Sequence, residues 1–116
     1  ARGFVLGAAV AARIGAGFIP ARKPEKLPRE VRSVEYELEY GVDTIEIHRD
    51  ALAHGRRVLV HDDLIATGGT AKACCELVEQ AGAEVVGCAF VIELAFLGGR
   101  EKLKPYDVHS LVTYEA

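Results

Sequence analysis

Residues 58–70 contain the residue types that could bind a sugar phosphate. Two adjacent carboxylates, Asp62 and Asp63, follow an apolar run, and the small residues 66–70 begin three positions after Asp63. Backbone N–H groups in a glycine-containing turn that opens a helix form an anion site without any lysine. Ionised carboxylates accept hydrogen bonds from vicinal hydroxyls. The segment therefore predicts ribose on the two acids and a 5-phosphate in the loop.

The predicted phosphate loop differs from the two common nucleotide-binding motifs. A Walker A loop needs a lysine after its glycine spacer, and a dinucleotide fingerprint needs G-x-G-x-x-G; neither pattern occurs in the chain. We expect the loop to bind phosphate through backbone N–H groups and through threonine hydroxyls. Its predicted members are Ala66, Thr67, Gly68, Gly69 and Thr70.

Composition limits the classes of partner. Half of the 116 residues are apolar, and the net charge of −3 is too weak to attract DNA or an anionic membrane. No apolar stretch approaches the roughly 18 residues of a membrane-spanning helix. We therefore predict no nucleic-acid partner and no membrane partner. Cys74, Cys75 and Cys88 show no metal-ligand spacing and are interpreted as free thiols of a reducing, cytoplasmic environment.

The elements that must position the loop are predicted from periodicity and from glycine positions. Residues 4–6 are interpreted as a short buried strand, followed by a helix over 8–14 that ends at Gly15. Residues 34–38 and 44–48 alternate apolar and polar side chains, which predicts a solvent-facing hairpin or a mobile excursion. We predict a central strand over 58–60, a helix from Thr70 that Gly82 terminates, and strands over 85–92 and 108–112.

Strands that alternate with helices predict one α/β domain over residues 1–116 with a mostly parallel sheet. Open parallel sheets bind ligands at the carboxyl ends of their strands. The acid pair and the glycine loop follow the strand at 58–60, so we expect the ligand site there.

Residues 58–70 resemble the signature for 5-phosphoribosyl-1-pyrophosphate (PRPP) of the type I phosphoribosyltransferases. Four further stretches resemble the adenine phosphoribosyltransferase family in order and spacing, and the resemblance covers nearly the whole chain. These are residues 2–7, Arg22 and Lys23 with 26–28, 38–41, and Glu93 and Leu94 with 97–100. The resemblance implies a type I phosphoribosyltransferase-like fold: a mostly parallel sheet flanked by helices, with a mobile catalytic hairpin or loop. It also implies purine salvage, in which adenine and PRPP give AMP and pyrophosphate.

The resemblance further implies roles for individual residues. Glu39 would handle the purine proton as the catalytic residue, with Tyr40 beside it. Leu94 would form an apolar wall against the purine. Mg²⁺ would be held mainly through PRPP rather than by protein ligands, and the protein would be a homodimer. The basic residues that would bind the substrate are Arg2, Arg22 and Lys26.

The chain departs from the family pattern in two places. His61 occupies a position that is usually aliphatic, and we interpret it as a packed, neutral side chain without a catalytic role. The chain begins at Ala1 and contains no methionine, so we expect an upstream segment to be missing. In the family that segment supplies a sheet strand, much of the dimer contact and a hood over the base.

Two alternatives to adenine transfer stay open at this point. One is a phosphoribosyltransferase for another base such as xanthine. The other is a PRPP-sensing regulatory domain without turnover. The Glu39-Tyr40-Gly41 sequence favours an enzyme, because a sensor does not need a catalytic loop.

Overall fold

The computed structural model describes residues 2–28, 30–38 and 41–116, with the side chains of Arg2 and Leu38 excepted. No helix in these ranges is long and apolar enough to cross a membrane. The elements in chain order are α1 (Arg2–Ile14), β1 (Val31–Leu38), β2 (Gly41–His48), β3 (Arg57–Ile65), α2 (Gly69–Gln80), β4 (Glu84–Leu94), a 3₁₀ turn (Ala95–Leu97), α3 (Gly99–Lys102) and β5 (Val108–Tyr114).

Strands β3, β4 and β5 form a parallel sheet with β4 in the middle. The predicted α/β class with a parallel sheet is therefore confirmed. The prediction that residues 58–60 form a central strand is wrong, because β3 lies at an edge of the sheet among the described strands. Its apolar run is covered on one face only, since Leu59 is 40% exposed. The strand also continues to Ile65, so the acid pair lies within the strand and not after it.

The predicted hairpin exists as a separate two-stranded antiparallel sheet, with Val31 opposite His48 and Leu38 opposite Gly41. It is only partly solvent-facing, which corrects the expectation. Its buried face packs on α2, and the two together form a cluster of apolar side chains: Val34, Ile45 and Ile47 of the hairpin with Ala73 and Leu77 of α2. Helix α2 packs its other side on the parallel sheet, with Cys75 and Val78 in the main core. This helix therefore links the hairpin to the sheet.

Residues 4–6 belong to α1, and the prediction of a buried strand there is wrong. A short apolar run does not distinguish strand from helix, and small residues at a spacing of four mark the face that packs. Gly3, Gly7 and Ala11 form this face: a methyl group at Gly7 would lie 3.4 Å from the His61 ring of β3. The helix ends as predicted at Gly15, whose φ is 72°, with the Ala16 N–H donating to the Ala11 carbonyl at 2.9 Å.

Candidate functional site

The acid pair lies near the carboxyl end of β3, beside the first turn of α1. The Asp63 N–H donates to Asp62 Oδ1 at 2.8 Å. A side chain at Gly3 would collide with that same carboxylate, so the glycine permits the helix to approach it. Burial raises the pKa of the Asp62 carboxyl, and the neighbouring Asp63 carboxyl raises it further. A ligand that brings hydroxyl donors or positive charge would relieve this cost.

The loop between β3 and α2 leaves a helix N-terminus open. Residues 66–68 form bends, and Gly69 and Thr70 are the first residues of α2. Gly68 is the N-cap in the left-handed region at φ 88°, and no side chain caps the helix. The Lys72 N–H donates to the Gly68 carbonyl at 2.9 Å, so the N–H groups before it precede the intrahelical ladder. These donors and the helix dipole suit a phosphate.

The connection after β4 packs directly against this loop. A methyl group at Gly68 would lie 2.6 Å from the Gly99 carbonyl oxygen, and one at Gly99 would lie 3.0 Å from the Gly68 nitrogen. The register pairs Ile65 with Glu93, so Leu94, the last residue of β4, lies at the same sheet edge as the loop. The structure thus brings Leu94, the loop and the acid pair to the same end of the sheet.

Glu93 fixes this connection to the sheet. The residue is 4% exposed, and its carboxylate forms a bidentate ion pair with Arg100, at 2.7 Å from Nη2 and 3.1 Å from Nε. The Arg100 guanidinium also donates to the Val108 carbonyl at 2.7 Å, and the Ser110 hydroxyl donates to Glu93 at 2.7 Å. Hydrogen bonds from Arg100 lower the pKa of Glu93, so the carboxylate stays ionised.

The hairpin contacts the start of α2, directly after the glycine loop, through Tyr36. The Thr70 hydroxyl donates to the Tyr36 oxygen at 3.2 Å, and the Tyr36 hydroxyl donates to Asp43 Oδ2 at 3.4 Å. Lys23 pairs with the same oxygen of Asp43 at 2.6 Å. A chain of polar contacts therefore runs from the loop, across both hairpin strands, to the segment that follows α1.

The predicted basic residues are only partly brought to the site. The guanidinium of Arg22 lies 5.8 Å from the centroid of the ring of Phe4, which follows Gly3 in α1. Its backbone also bridges Glu46 of β2. Lys26 is exposed, and none of the described contacts joins it to the loop. Arg2 begins α1, but its side chain lies outside the described part, as do Glu39 and Tyr40 entirely.

Sequence reasoning gave no role to several residues that shape this site. In the sequence, Tyr36 is one member of an alternating strand, and no signal separates it from other strand tyrosines. Gly3 and Glu93 did lie in family-like stretches, but their roles depend on contacts between elements distant in the chain. Spacing alone could not reveal those contacts.

Comparison with known proteins agrees with the geometry. A family model for the phosphoribosyl transferase domain matches residues 1–113. A protein of Koribacter versatilis named adenine phosphoribosyltransferase is 64% identical over 115 residues, which are 99% of this chain. A protein of the same name from Nitrosococcus oceani is 64% identical over 98% of the chain. The chain spans 63% and 67% of the lengths of these two relatives.

Solved structures give the same result. Adenine phosphoribosyltransferase from Thermoanaerobacter pseudethanolicus superposes with a TM-score of 0.96 at 55% identity, covering 98% of this chain and 66% of the other. The Saccharomyces cerevisiae enzyme, solved with an imino-altritol bisphosphate and adenine, gives 0.91 at 48% identity, covering 96% and 62%. The family and the type I fold expected from residues 58–70 are confirmed.

Proposed function

The chain belongs to the phosphoribosyl transferase domain family, and on that premise we propose that it transfers the 5-phosphoribosyl group from PRPP to adenine. The products are AMP and pyrophosphate, the reaction of purine salvage, with residues 1–116 as the core domain. Relatives that are 56–64% identical carry the name adenine phosphoribosyltransferase. This supports adenine over another base such as xanthine, and an enzyme over a PRPP sensor.

One observation carries the proposal: a helix N-terminus that no side chain caps follows the strand that carries the two carboxylates, after a three-residue turn. The N–H groups at Gly69 and Thr70, with the hydroxyls of Thr67 and Thr70, would bind the 5-phosphate. The carboxylates of Asp62 and Asp63 would accept hydrogen bonds from the ribose hydroxyls. The ligand thereby satisfies the helix terminus and the acid pair at once.

Catalysis of this transfer requires positive charge at the leaving pyrophosphate and control of a proton on the base. Arg2, Arg22 and Lys26 would stabilise the pyrophosphate as its negative charge grows. Glu39 would hold the purine proton, with Tyr40 beside it. Leu94 would pack against the purine ring and so orient it toward the anomeric carbon.

Mg²⁺ would enter with PRPP. Burial raises the pKa of the Asp62 carboxyl, and a ligand that brings a cation to this strand end would favour the ionised form. When bound through the substrate, the ion would supply charge neutralisation at the pyrophosphate.

The protein would act as a cytoplasmic homodimer. Helix α1 leaves an apolar surface exposed, formed by Phe4, Val5, Leu6, Val10 and Ile14. Apolar patches of this kind commonly mark protein interfaces, and we assign this one to a second copy of the chain. Three free cysteines fit a reducing compartment.

Two variants separate turnover from PRPP binding. Glu39→Ala should lower kcat by about 10²- to 10⁴-fold with little change in the Kd for PRPP. The double variant Asp62→Asn with Asp63→Asn should instead raise that Kd by about 10- to 100-fold, because hydrogen bonds to charged groups are lost. Pyrophosphate release and calorimetry measure the two quantities, and Glu35→Ala on β1 is the matched acidic control. Unchanged PRPP affinity in the double variant would remove the ribose assignment.

A further inference from the structure

We propose that Tyr36 is a positioning residue of the phosphate loop, which acts on bound phosphate through the hydroxyl of Thr70. This inference rests on the proposed function, because it takes Thr70 to be a phosphate contact. Tyr36 lies on β1, far from Thr70 in the chain, and it would itself touch no substrate. Its hydroxyl would set the direction in which Thr70 donates.

The geometry around the Tyr36 ring supports this role. The ring lies against the first residue of α2, since a methyl group at Gly69 would lie 3.4 Å from its Cδ2 atom. Tyr36 is half-buried, whereas Thr70 is exposed toward solvent. The hydroxyl of Tyr36 is therefore held at the helix start, and the hydroxyl of Thr70 is free to meet a ligand.

Hydrogen-bond directions give the mechanism. The Thr70 hydroxyl donates to Tyr36 at 3.2 Å and Tyr36 donates to Asp43 at 3.4 Å. Both distances are longer than that of an ordinary O–H···O bond, about 2.7–2.8 Å. The Tyr36 hydroxyl therefore contacts two partners, Thr70 and Asp43, without a short hydrogen bond to either. A bound phosphate would accept the hydrogen bond that the Thr70 hydroxyl donates. The Thr70 oxygen could then only accept from Tyr36, and a donor at that oxygen strengthens the bond to phosphate.

The contacts of Asp43 allow the Tyr36 hydroxyl to change its hydrogen-bond partner. Its Oδ2 atom pairs with Lys23 at 2.6 Å, and its Oδ1 atom accepts the Thr44 N–H at 2.8 Å. The carboxylate thus keeps two partners when the Tyr36 hydroxyl turns to Thr70. The Asp43 carboxylate therefore does not become an unpaired charge when the Tyr36 hydroxyl changes its partner.

A double-mutant cycle on ribose 5-phosphate affinity tests the proposal without measuring turnover. Tyr36→Phe keeps the ring against Gly69 and removes the hydroxyl, and Thr70→Val removes the hydroxyl through which Tyr36 acts. We expect Tyr36→Phe to raise the Kd about 5- to 10-fold in the wild-type background, the value of one hydrogen bond. In the Thr70→Val background the same change should have less than about a twofold effect, because residues that act through one another are not additive.

Two further variants are measured beside the double-mutant cycle. Tyr106→Phe is the matched control, because the Tyr106 hydroxyl also donates to a carboxylate, Glu79 of α2, away from the loop. It should leave the Kd unchanged. Asp43→Asn weakens the acceptor that competes with Thr70 for the hydrogen bond from Tyr36 while the tyrosine stays intact, so it should not raise the Kd in either background.

The outcomes separate the two proposals. Equal effects of Tyr36→Phe in both backgrounds, no effect in either, or a raised Kd in Asp43→Asn would overturn the role of Tyr36. An unchanged Kd in Thr70→Val would instead remove the phosphate-loop assignment of the proposed function, and the role of Tyr36 with it.

Discussion

Two carboxylates at the ends of neighbouring strands have pKa values that are shifted in opposite directions. Asp62 is penalised by burial and by Asp63, and its pKa is raised. Glu93, at the end of the next strand, is almost fully buried, but Arg100 lowers its pKa. An acid whose charge is stabilised by its partner contributes to the stability of the fold, whereas an acid whose charge is disfavoured by burial favours binding a ligand that stabilises this charge. We therefore assign Glu93 to the scaffold and Asp62 to the ligand.

Glu93→Gln should lower the free energy of unfolding at pH 7 by about 1–2 kcal/mol, since a charged hydrogen-bonded pair is lost while Arg100 stays partly solvated. The folded pKa of Glu93 is lowered, so its contribution is complete above the unfolded value of about 4.3. It disappears as the pH falls through the folded value. The gap between variant and wild type should therefore close below about pH 4.

Urea unfolding at several pH values between neutral and acid measures this gap. Glu101→Gln is the control, because Glu101 pairs with Lys104 at 2.9 Å with both side chains 70% exposed. It should change stability by less than about 1 kcal/mol. A gap for Glu93→Gln that is as large in acid as at pH 7 would contradict the assignment.

Among the elements, the site depends on how closely three backbones approach one another. Helix α1 meets β3 through Gly3, and the loop before α2 meets the connection after β4 through Gly68 and Gly99. These contacts place the acid pair, the helix terminus and Leu94 at one edge. Side chains larger than hydrogen at those glycines would separate them.

Gly68→Ala should destabilise the protein by about 2–5 kcal/mol, because it combines left-handed backbone strain with a clash. The added methyl group would lie 2.6 Å from the Gly99 carbonyl oxygen. Gly98→Ala is the matched control: its φ is 70°, but no atom lies within 4 Å of the added methyl group. It should cost only the strain, about 1–2 kcal/mol. Equal losses in chemical denaturation would show that the close approach is not what selects glycine at position 68.

The sequence predicted elements better where the pattern was long than where it was short. Helix α2, its end at Gly82 and the strands at 85–92 and 108–112 follow from periodicity and are confirmed, within a few residues at their ends. The run at 4–6 was too short to separate strand from helix. The position of β3 in the sheet depends on which strand pairs with β4, and that pairing is not encoded locally.

The candidate site divides in the same way. Residues 66–70 and the acid pair lie close together in the chain, so the chemistry of these side chains could be predicted from their spacing. The contacts of Thr70 with Tyr36 and of Gly68 with Gly99 join residues far apart in the chain. They follow from tertiary packing, which no local pattern reports.

At the scale of the whole molecule, the described part is an α/β body with one uncovered helix. Gly3, Gly7 and Ala11 hold α1 on β3, and this leaves its large apolar residues outside. Val5 is 71% exposed and Ile14 is 62% exposed. Surface of this kind is costly in water unless another protein surface covers it.

Val5→Lys should shift the proposed homodimer toward monomer, because it places a charge in the apolar contact. Sedimentation velocity at several protein concentrations measures the shift. Val42→Lys is the control, since Val42 is 61% exposed on the hairpin, outside the α1 surface. A wild-type protein that sediments as a monomer would contradict the assignment of this surface to a second copy.

The central claim is transfer of phosphoribose from PRPP to adenine, and a panel of bases tests it most directly. Adenine, hypoxanthine, guanine and xanthine are each offered with Mg²⁺ and PRPP, and pyrophosphate release is measured for each. We predict release with adenine and none above background with the other three bases. Release with another base in place of adenine, or PRPP binding without release from any base, would contradict the claim.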